Sequence, residues 1–175
     1  MPTYGVAVTI PEPHGTALAL ARQQAGDPMA EAIPPHVTLL PPTELSDDEL
    51  GGFEQYLEHV AGGFDSFSMR LSGTGTFRPL SPVVFIQVSQ GISSCERLEL
   101  AIRSGPVQRR LDFPYHPHVT IAHHLPDDQL DRAFAALESY RAGFVVDGID
   151  LYAQDDDGFW RPRRRYPLRD EPQER

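Results

Sequence analysis

The sequence predicts an α+β fold: two βαβ-type lobes related by a pseudo-twofold, with mainly antiparallel sheets facing a central cleft and helices on the outside. Three observations carry this expectation. Strand-like and helix-like segments alternate, their order in the first half recurs in the second, and matching residues recur at a steady spacing. Leu45-Ser-Asp-Asp-Glu-Leu50 corresponds to Leu125-Pro-Asp-Asp-Gln-Leu130 at an offset of 80, as do Phe64 and Leu71 to Phe144 and Leu151. Pro35-His-Val-Thr38 corresponds to Pro117-His-Val-Thr120 at an offset of 82. A single domain over residues 1–175 is expected, its lobes divided at about 1–80 and 81–175.

Tyr4 to Ile10 reads as a first strand, stopped by Pro11 and Pro13. A helix from Thr16 to about Gln24 follows, and Gly26-Asp27-Pro28 ends it. Pro34 to Leu40 is a short strand bracketed by prolines. Ser46-Asp-Asp-Glu49 is a capping-box signature opening a helix with Leu50, Phe53, Leu57 and Val60 on one face. Phe64 to Leu71 alternates as a strand leading into a turn at Gly73-Thr-Gly75. The second half then gives a strand over Val83–Val88, a helix from Ser93 to about Arg103 and a strand over His116–Ile121. A helix over Asp127–Tyr140 and closing strands over Phe144–Tyr152 and Phe159–Tyr166 complete the chain.

Composition narrows the chemistry. The chain has 175 residues and a net charge of −10, with all 15 basic residues arginine and no lysine. No Schiff base, lysyl-nucleotide intermediate or P-loop lysine is available to it. The negative charge argues against wrapping a long nucleic acid, but not against gripping one phosphate. Residues 91–175 hold 12 of the arginines, five of them as Arg161, Arg163, Arg164, Arg165 and Arg169. That cluster reads equally as a solvated strand or as a substrate contact. A single cysteine, Cys95, and no basic-then-apolar leader lead us to expect a cytoplasmic protein. No run of 18 apolar residues suggests a membrane span.

In a strand, residues i and i+2 share a face. His36 and Thr38 therefore face one way while Val37 and Leu39 enter the core, and His118-Val-Thr120 repeats the arrangement. A pseudo-twofold brings two imidazoles and two hydroxyls to one site. Such a set suits a phosphodiester: one histidine takes a proton from the nucleophile and the other supplies one to the leaving oxygen. Thr38 and Thr120 donate to the non-bridging oxygens. The chemistry requires no metal. A third match, His14-Gly-Thr16, has no counterpart in the repeat and is set aside as chance.

The paired His-Val-Thr tripeptides resemble the His-x-Thr motifs of the two-histidine (2H) phosphoesterases, most nearly the 2′-5′ RNA ligase-like branch, also described as RNA 2′,3′-cyclic phosphodiesterases. The resemblance extends over nearly the whole chain, including the segment Phe67–Phe77. It implies acid–base roles for His36 and His118 and phosphate binding by Thr38 and Thr120. It implies no cofactor, no metal and no obligatory protein partner. The implied substrates are RNA ends or small nucleotide 2′,3′-cyclic phosphates, opened to 2′-phosphates, with 2′-5′ ligation as the reverse reaction. An ATP-dependent ligase would need a lysine to carry AMP, so any joining must draw on the strained cyclic phosphate.

Candidate substrate-binding residues are Phe77, for a base to stack on, Arg78 for phosphate, and Tyr115 and His116 just before the second motif. His124 shares the strand parity of His118, but it is six residues on and near the expected end of the strand. Two alternatives stay open: a metal-dependent hydrolase using His116, His118, His123 or His124 with an aspartate, and a non-catalytic nucleotide- or RNA-end-binding module.

Overall fold

The computed structural model describes residues 1–170. Its elements run β1 (Thr3–Thr9), α1 (His14–Gln24), β2 (His36–Glu44), α2 (Asp47–Gly62), β3 (Phe67–Thr76), β4 (Val83–Gln90) and α3 (Ile92–Arg103). They continue with β5 (His118–His123), α4 (Asp127–Ala136), β6 (Arg141–Val146), β7 (Gly148–Gln154) and β8 (Trp160–Pro167). The α+β class follows as expected, with one curled antiparallel sheet in the order β6-β3-β4-β5-β2-β1-β7-β8.

The pseudo-twofold passes between β5 and β2, relating β2 to β5, β1 to β4 and β7 to β3. The two half-sheets are therefore continuous, joined by the antiparallel pair Val37 and Val119. They also do not follow the expected division at residue 80. Strand β3 leaves the N-terminal half to lie between β4 and β6, and β7 and β8 return to flank β1. The expected strand over 144–152 is accordingly two strands, parted at Asp147: β6 pairs with β3, whereas β7 pairs with β1. Pattern within one segment cannot show such an exchange, because alternation is the same whichever neighbour a strand takes.

Local signals explain most elements. Ser46 Oγ accepts the Glu49 amide proton at 3.2 Å and Glu49 Oε2 accepts that of Ser46 at 2.8 Å, closing the capping box of α2. Leu50, Phe53, Leu57 and Val60 are all buried beneath that helix. The expected turn at Gly73 is instead a bulge within β3: the register shifts between Leu71 and Thr74. Gly73 adopts φ +72°, and a Cβ there would stand 3.0 Å from the Glu138 carbonyl oxygen, so only glycine fits without strain.

One apolar cluster joins Val6, Val8, Val37, Leu39, Val119 and Ile121 of the sheet to Leu18, Phe53, Leu98 and Leu130 of the four helices. Helices thus cover one face. The other face carries the alternate strand residues, among them the histidine and threonine of both His-Val-Thr motifs. Among the described residues no helix is long and apolar enough to cross a membrane.

Candidate active site

Val37 and Val119 are fully buried, which turns their neighbours to the cleft. The antiparallel register that sets Val37 opposite Val119 sets His36 opposite Thr120 and Thr38 opposite His118. Each histidine thus faces the threonine of the other motif, and the two imidazoles stand on a diagonal, ~7–8 Å apart at the backbone. All four side chains are half-buried.

The two imidazoles are held alike. His36 Nδ1 donates to the Pro34 carbonyl at 2.8 Å, and His118 Nδ1 donates to the His116 carbonyl at 2.6 Å. A carbonyl only accepts, so each Nδ1 carries a proton and Nε2 is the nitrogen free to exchange one. The buried prolines Pro35 and Pro117 between each acceptor and its histidine hold the preceding backbone extended.

Burial is the main influence on both rings, and it disfavours their charged forms. The His36 pKa is lowered to about 4, with the charges of Arg22 and His118 adding to the effect and the Pro34 hydrogen bond opposing it. His118 is lowered too, first by burial and then by His116 and His123, against its own backbone hydrogen bond. Phe77 and Phe85 supply much of the apolar wall at His118, their ring centroids lying 4.9 and 5.2 Å from the imidazole.

A cavity of about 590 Å³ opens on the His118 side, lined by Thr38, His118 and Thr120 and walled by Phe77, Leu80, Phe113 and Tyr115. His116 lines it as well. The Tyr115 hydroxyl donates to the Thr38 carbonyl at 2.7 Å, clamping the segment before β5 onto β2. Phe77 also lies at the cavity, but its ring already rests on Phe85 at 4.5 Å.

Arg78 is placed differently from expectation. It does not line the cavity; its guanidinium binds Asp131 at 2.9 Å and Asp127 at 3.6 Å on α4. The C-terminal arginines are likewise engaged. Arg161 pairs with Asp155 and Asp157, Arg163 with Glu54, Arg164 with Glu58, Arg165 with Asp147 and Asp150, and Arg169 with Asp65. The cations on the cavity are Arg109 and Arg110, which form no ion pair among the described residues. Nothing in the local sequence marks this dipeptide, because it lies in a segment without helix or strand period.

A bulge, and not strand parity, places the later histidines. The β4–β5 register shifts between Val84 and Phe85, and Ile121 and Ala122 are both buried. This bulge puts His123, opposite Val83, on the cavity and leaves His124 exposed. Beneath them lies a buried ion pair, Arg22 Nε to Asp27 Oδ2 at 2.8 Å, and the same carboxylate oxygen accepts the His123 amide proton at 3.0 Å. No group of three or more His, Cys, Asp or Glu among the described residues is arranged to hold a metal ion.

On the other side of Thr38, a small pocket of about 60 Å³ lies between His36 and Trp160, with Tyr152 and Ile33 alongside. Gly5 lies beneath the indole; a Cβ there would press on the Leu40 carbonyl oxygen at 3.3 Å and make only ordinary contact, at 3.7 Å, with Trp160 Cζ3.

The chain as a whole also has recognisable relatives. Residues 10–158 match the family model described as the 2′-5′ RNA ligase superfamily. A Halalkalibacterium halodurans protein named "Putative phosphoesterase BH1439" is 31% identical over 167 residues, covering 94% of this chain and 96% of the relative. Among solved structures, TT0787 of Thermus thermophilus superposes with a TM-score of 0.69 at 23% identity, covering 98% of this chain and all of the other. E. coli LigT complexed with NADP+ gives a TM-score of 0.64 at 20% identity, over 96% of this chain and 99% of LigT. The match over most of its length, on a fold shared with both structures, makes this chain a member of the 2′-5′ RNA ligase superfamily of two-histidine phosphoesterases.

Proposed function

We propose that this phosphoesterase opens 2′,3′-cyclic phosphates at RNA ends or on small nucleotides, leaving 2′-phosphates, through acid–base catalysis by His36 and His118. The observation that carries the reading is the crossed pair of motifs. Two imidazoles, each with Nδ1 tied to a carbonyl and Nε2 left free, flank a centre where two threonine hydroxyls can hold one phosphate. Thr38 and Thr120 donate to the non-bridging oxygens, where charge gathers in the transition state. One Nε2 takes the proton of the nucleophile as the other delivers a proton to the departing ring oxygen.

Both histidines are neutral near pH 7 in the resting site. The bound phosphate anion favours the protonated form of its neighbour, so substrate binding itself loads the acid. The cavity beside His118 falls within the range of small-molecule sites, roughly 300–1,000 Å³, and its apolar wall and free arginines suit a nucleoside and its phosphate. E. coli LigT has been crystallised with 3′-AMP and with ATP, which supports a nucleotide as the occupant here.

The test is turnover of adenosine and cytidine 2′,3′-cyclic phosphates in the presence of EDTA, with the products separated. The expected outcome is a 2′-phosphate, and loss of rate by at least 10²-fold in His36→Ala and His118→Ala while the circular dichroism spectrum is unchanged. Full activity in either variant overturns the assignment. Binding without turnover would favour a nucleotide-end-binding module.

A further inference from the structure

The open face of the sheet continues beyond the candidate catalytic centre. Ile86 and Val88 of β4, Met69 and Leu71 of β3 and Val146 of β6 enter the core, so the residues between them share the open face with His118 and Thr120. Gln87 of β4 pairs with His118, and Ser89 follows two residues on. Beyond it, Arg70 and Ser72 of β3 pair with Gly143 and Arg141 of β6. Arg70, Ser72, Ser89, Arg141 and Gly143 border a groove of about 560 Å³. Two to three strand spacings across and two residues along put it about 12–16 Å from His118 at the backbone.

The two arginines of this groove are open to a ligand. Neither Arg70 nor Arg141 forms an ion pair among the described residues. Arg141 Nη1 donates to the Tyr140 and Glu138 carbonyls at 2.7 and 3.4 Å, which steadies the guanidinium and leaves Nε and Nη2 for another acceptor. The β3–β6 register sets the two arginines on a diagonal, ~7–8 Å apart at the backbone. Gly143 keeps the floor between them low: a Cβ there would meet only Arg70 Cγ at 3.8 Å and the Met69 carbonyl at 4.0 Å.

The internal repeat supplies a comparison. On the other wing, β7 and β8 take the places that β3 and β6 take here. There Arg165 is held by Asp150 at 3.2 Å and by Asp147, so that wing neutralises its own cation. In a chain of net charge −10, two unpaired guanidiniums on one open face are where an anion is drawn.

The direction suits a polynucleotide. The large cavity, which takes the nucleoside in the proposed function, reaches the Val83 end of β4, whereas the groove lies at the Ser89 end, with His118 between them. On a ribose 2′,3′-cyclic phosphate the base leaves from C1′ and the chain from C4′, at opposite edges of the sugar, with the phosphate on the C2′–C3′ side between them. A base in the large cavity therefore sends the preceding chain over β4 towards Arg70 and Arg141. At ~3.4 Å per stacked nucleotide, the distance corresponds to about four nucleotides.

We propose that the groove at Arg70 and Arg141 is a second anion site, which binds backbone phosphates of an RNA strand about four nucleotides before its cyclic end. This rests on the proposed function and narrows its substrate class to an RNA strand of several nucleotides in preference to a free nucleotide. Ser72, paired with Arg141, adds a hydroxyl donor. Contacts of this kind go to phosphate and carry no base preference.

The test compares a 2′,3′-cyclic mononucleotide with single-stranded RNAs of two, four and eight nucleotides bearing the same end. A second arm measures the Kd of a fluorescent octanucleotide that ends in a 2′-phosphate. From two to eight nucleotides kcat/KM should rise at least tenfold, and the double variant Arg70→Gln/Arg141→Gln should lose that rise. Its octanucleotide affinity should fall about tenfold, and the dependence of log Kd on log salt should flatten by about 1.4, or ~0.7 per phosphate contact removed. Gly143→Leu fills the groove with both charges kept and should weaken octanucleotide binding as well. Arg164→Gln, on the other wing, is the control and should keep the length dependence. A kcat/KM independent of length, a length dependence retained in the double variant, or an equal loss in Arg164→Gln overturns the inference. If no cyclic end is opened at any length, the proposed function falls and the binding arm alone decides the groove: an unchanged Kd and salt slope in the double variant overturn it, and the expected losses uphold it.

Discussion

The Tyr115 hydroxyl donates a 2.7 Å hydrogen bond to the carbonyl oxygen of Thr38, so the segment that introduces the second motif is fastened to the strand that carries the first. The joint lies at the seam where β2 and β5 are bridged through Val37 and Val119. Its effect is to hold Thr38 and His118 in a fixed relation although they are far apart in the chain.

Tyr115→Phe keeps the ring in the cavity wall and deletes the donor. The expected cost is about 1 kcal/mol of stability, together with a fall in kcat of several-fold as the two motifs lose their register. Urea denaturation and steady-state kinetics check both; a change in KM alone would mean that Tyr115 only contacts substrate.

Thr38→Val and Thr120→Val preserve shape and remove the hydroxyls aimed at the phosphate. Each should lower kcat by about 10²-fold, with Thr→Ser restoring most of the loss. A double variant no worse than either single one would show that the hydroxyls act as a unit.

The histidines make stability depend on pH with a definite sign. Unfolded His36 binds a proton at ~6.5, whereas the folded protein resists doing so until about pH 4. Its contribution is therefore present in full above pH 6.5 and is lost as pH falls towards 4, at no more than ~1.4 kcal/mol per pH unit. His118 and His123 are lowered as well and act in the same direction. Urea midpoints between pH 7.5 and 4.5 should fall more steeply for wild type than for His36→Gln. The acid limb of kcat/KM should lie well below pH 6.5.

Asp27→Asn leaves the buried Arg22 guanidinium without its counter-charge beneath the cleft. Breaking such a pair costs ~3–5 kcal/mol, and the carboxylate also receives the His123 and Met29 amides at 3.0 and 2.8 Å. A large drop in Tm is expected. A change of under 1 kcal/mol would show that the site collapses around a solvated arginine.

How much was legible beforehand follows from the range of each interaction. The capping box of α2, its buried face, and the opposed faces of His36-Val-Thr38 are local, so neighbouring residues suffice to specify them. The repeat added one non-local fact, that the two motifs converge. The bulge that exchanges His123 for His124 depends on how β5 pairs with β4, and the local pattern of β5 alone does not show it. Arg78, Arg163, Arg164 and Arg169 looked available because their partners, Asp131, Glu54, Glu58 and Asp65, are distant in sequence.

By itself the sequence determined the α+β class, the duplicated order of elements and the four residues of the candidate centre, because helix and strand periodicity and a repeated tripeptide are properties of contiguous chain. It also excluded lysine chemistry outright. Only the tertiary structure decided that β3 and β7 change sides, that Arg109 and Arg110 are the cations on the large cavity, and that Trp160 narrows the His36 side. Those outcomes depend on which strand pairs with which and on which acid reaches which arginine. Both are settled by contacts between residues far apart in the chain, and the repeat that relates the two lobes leaves their differences open.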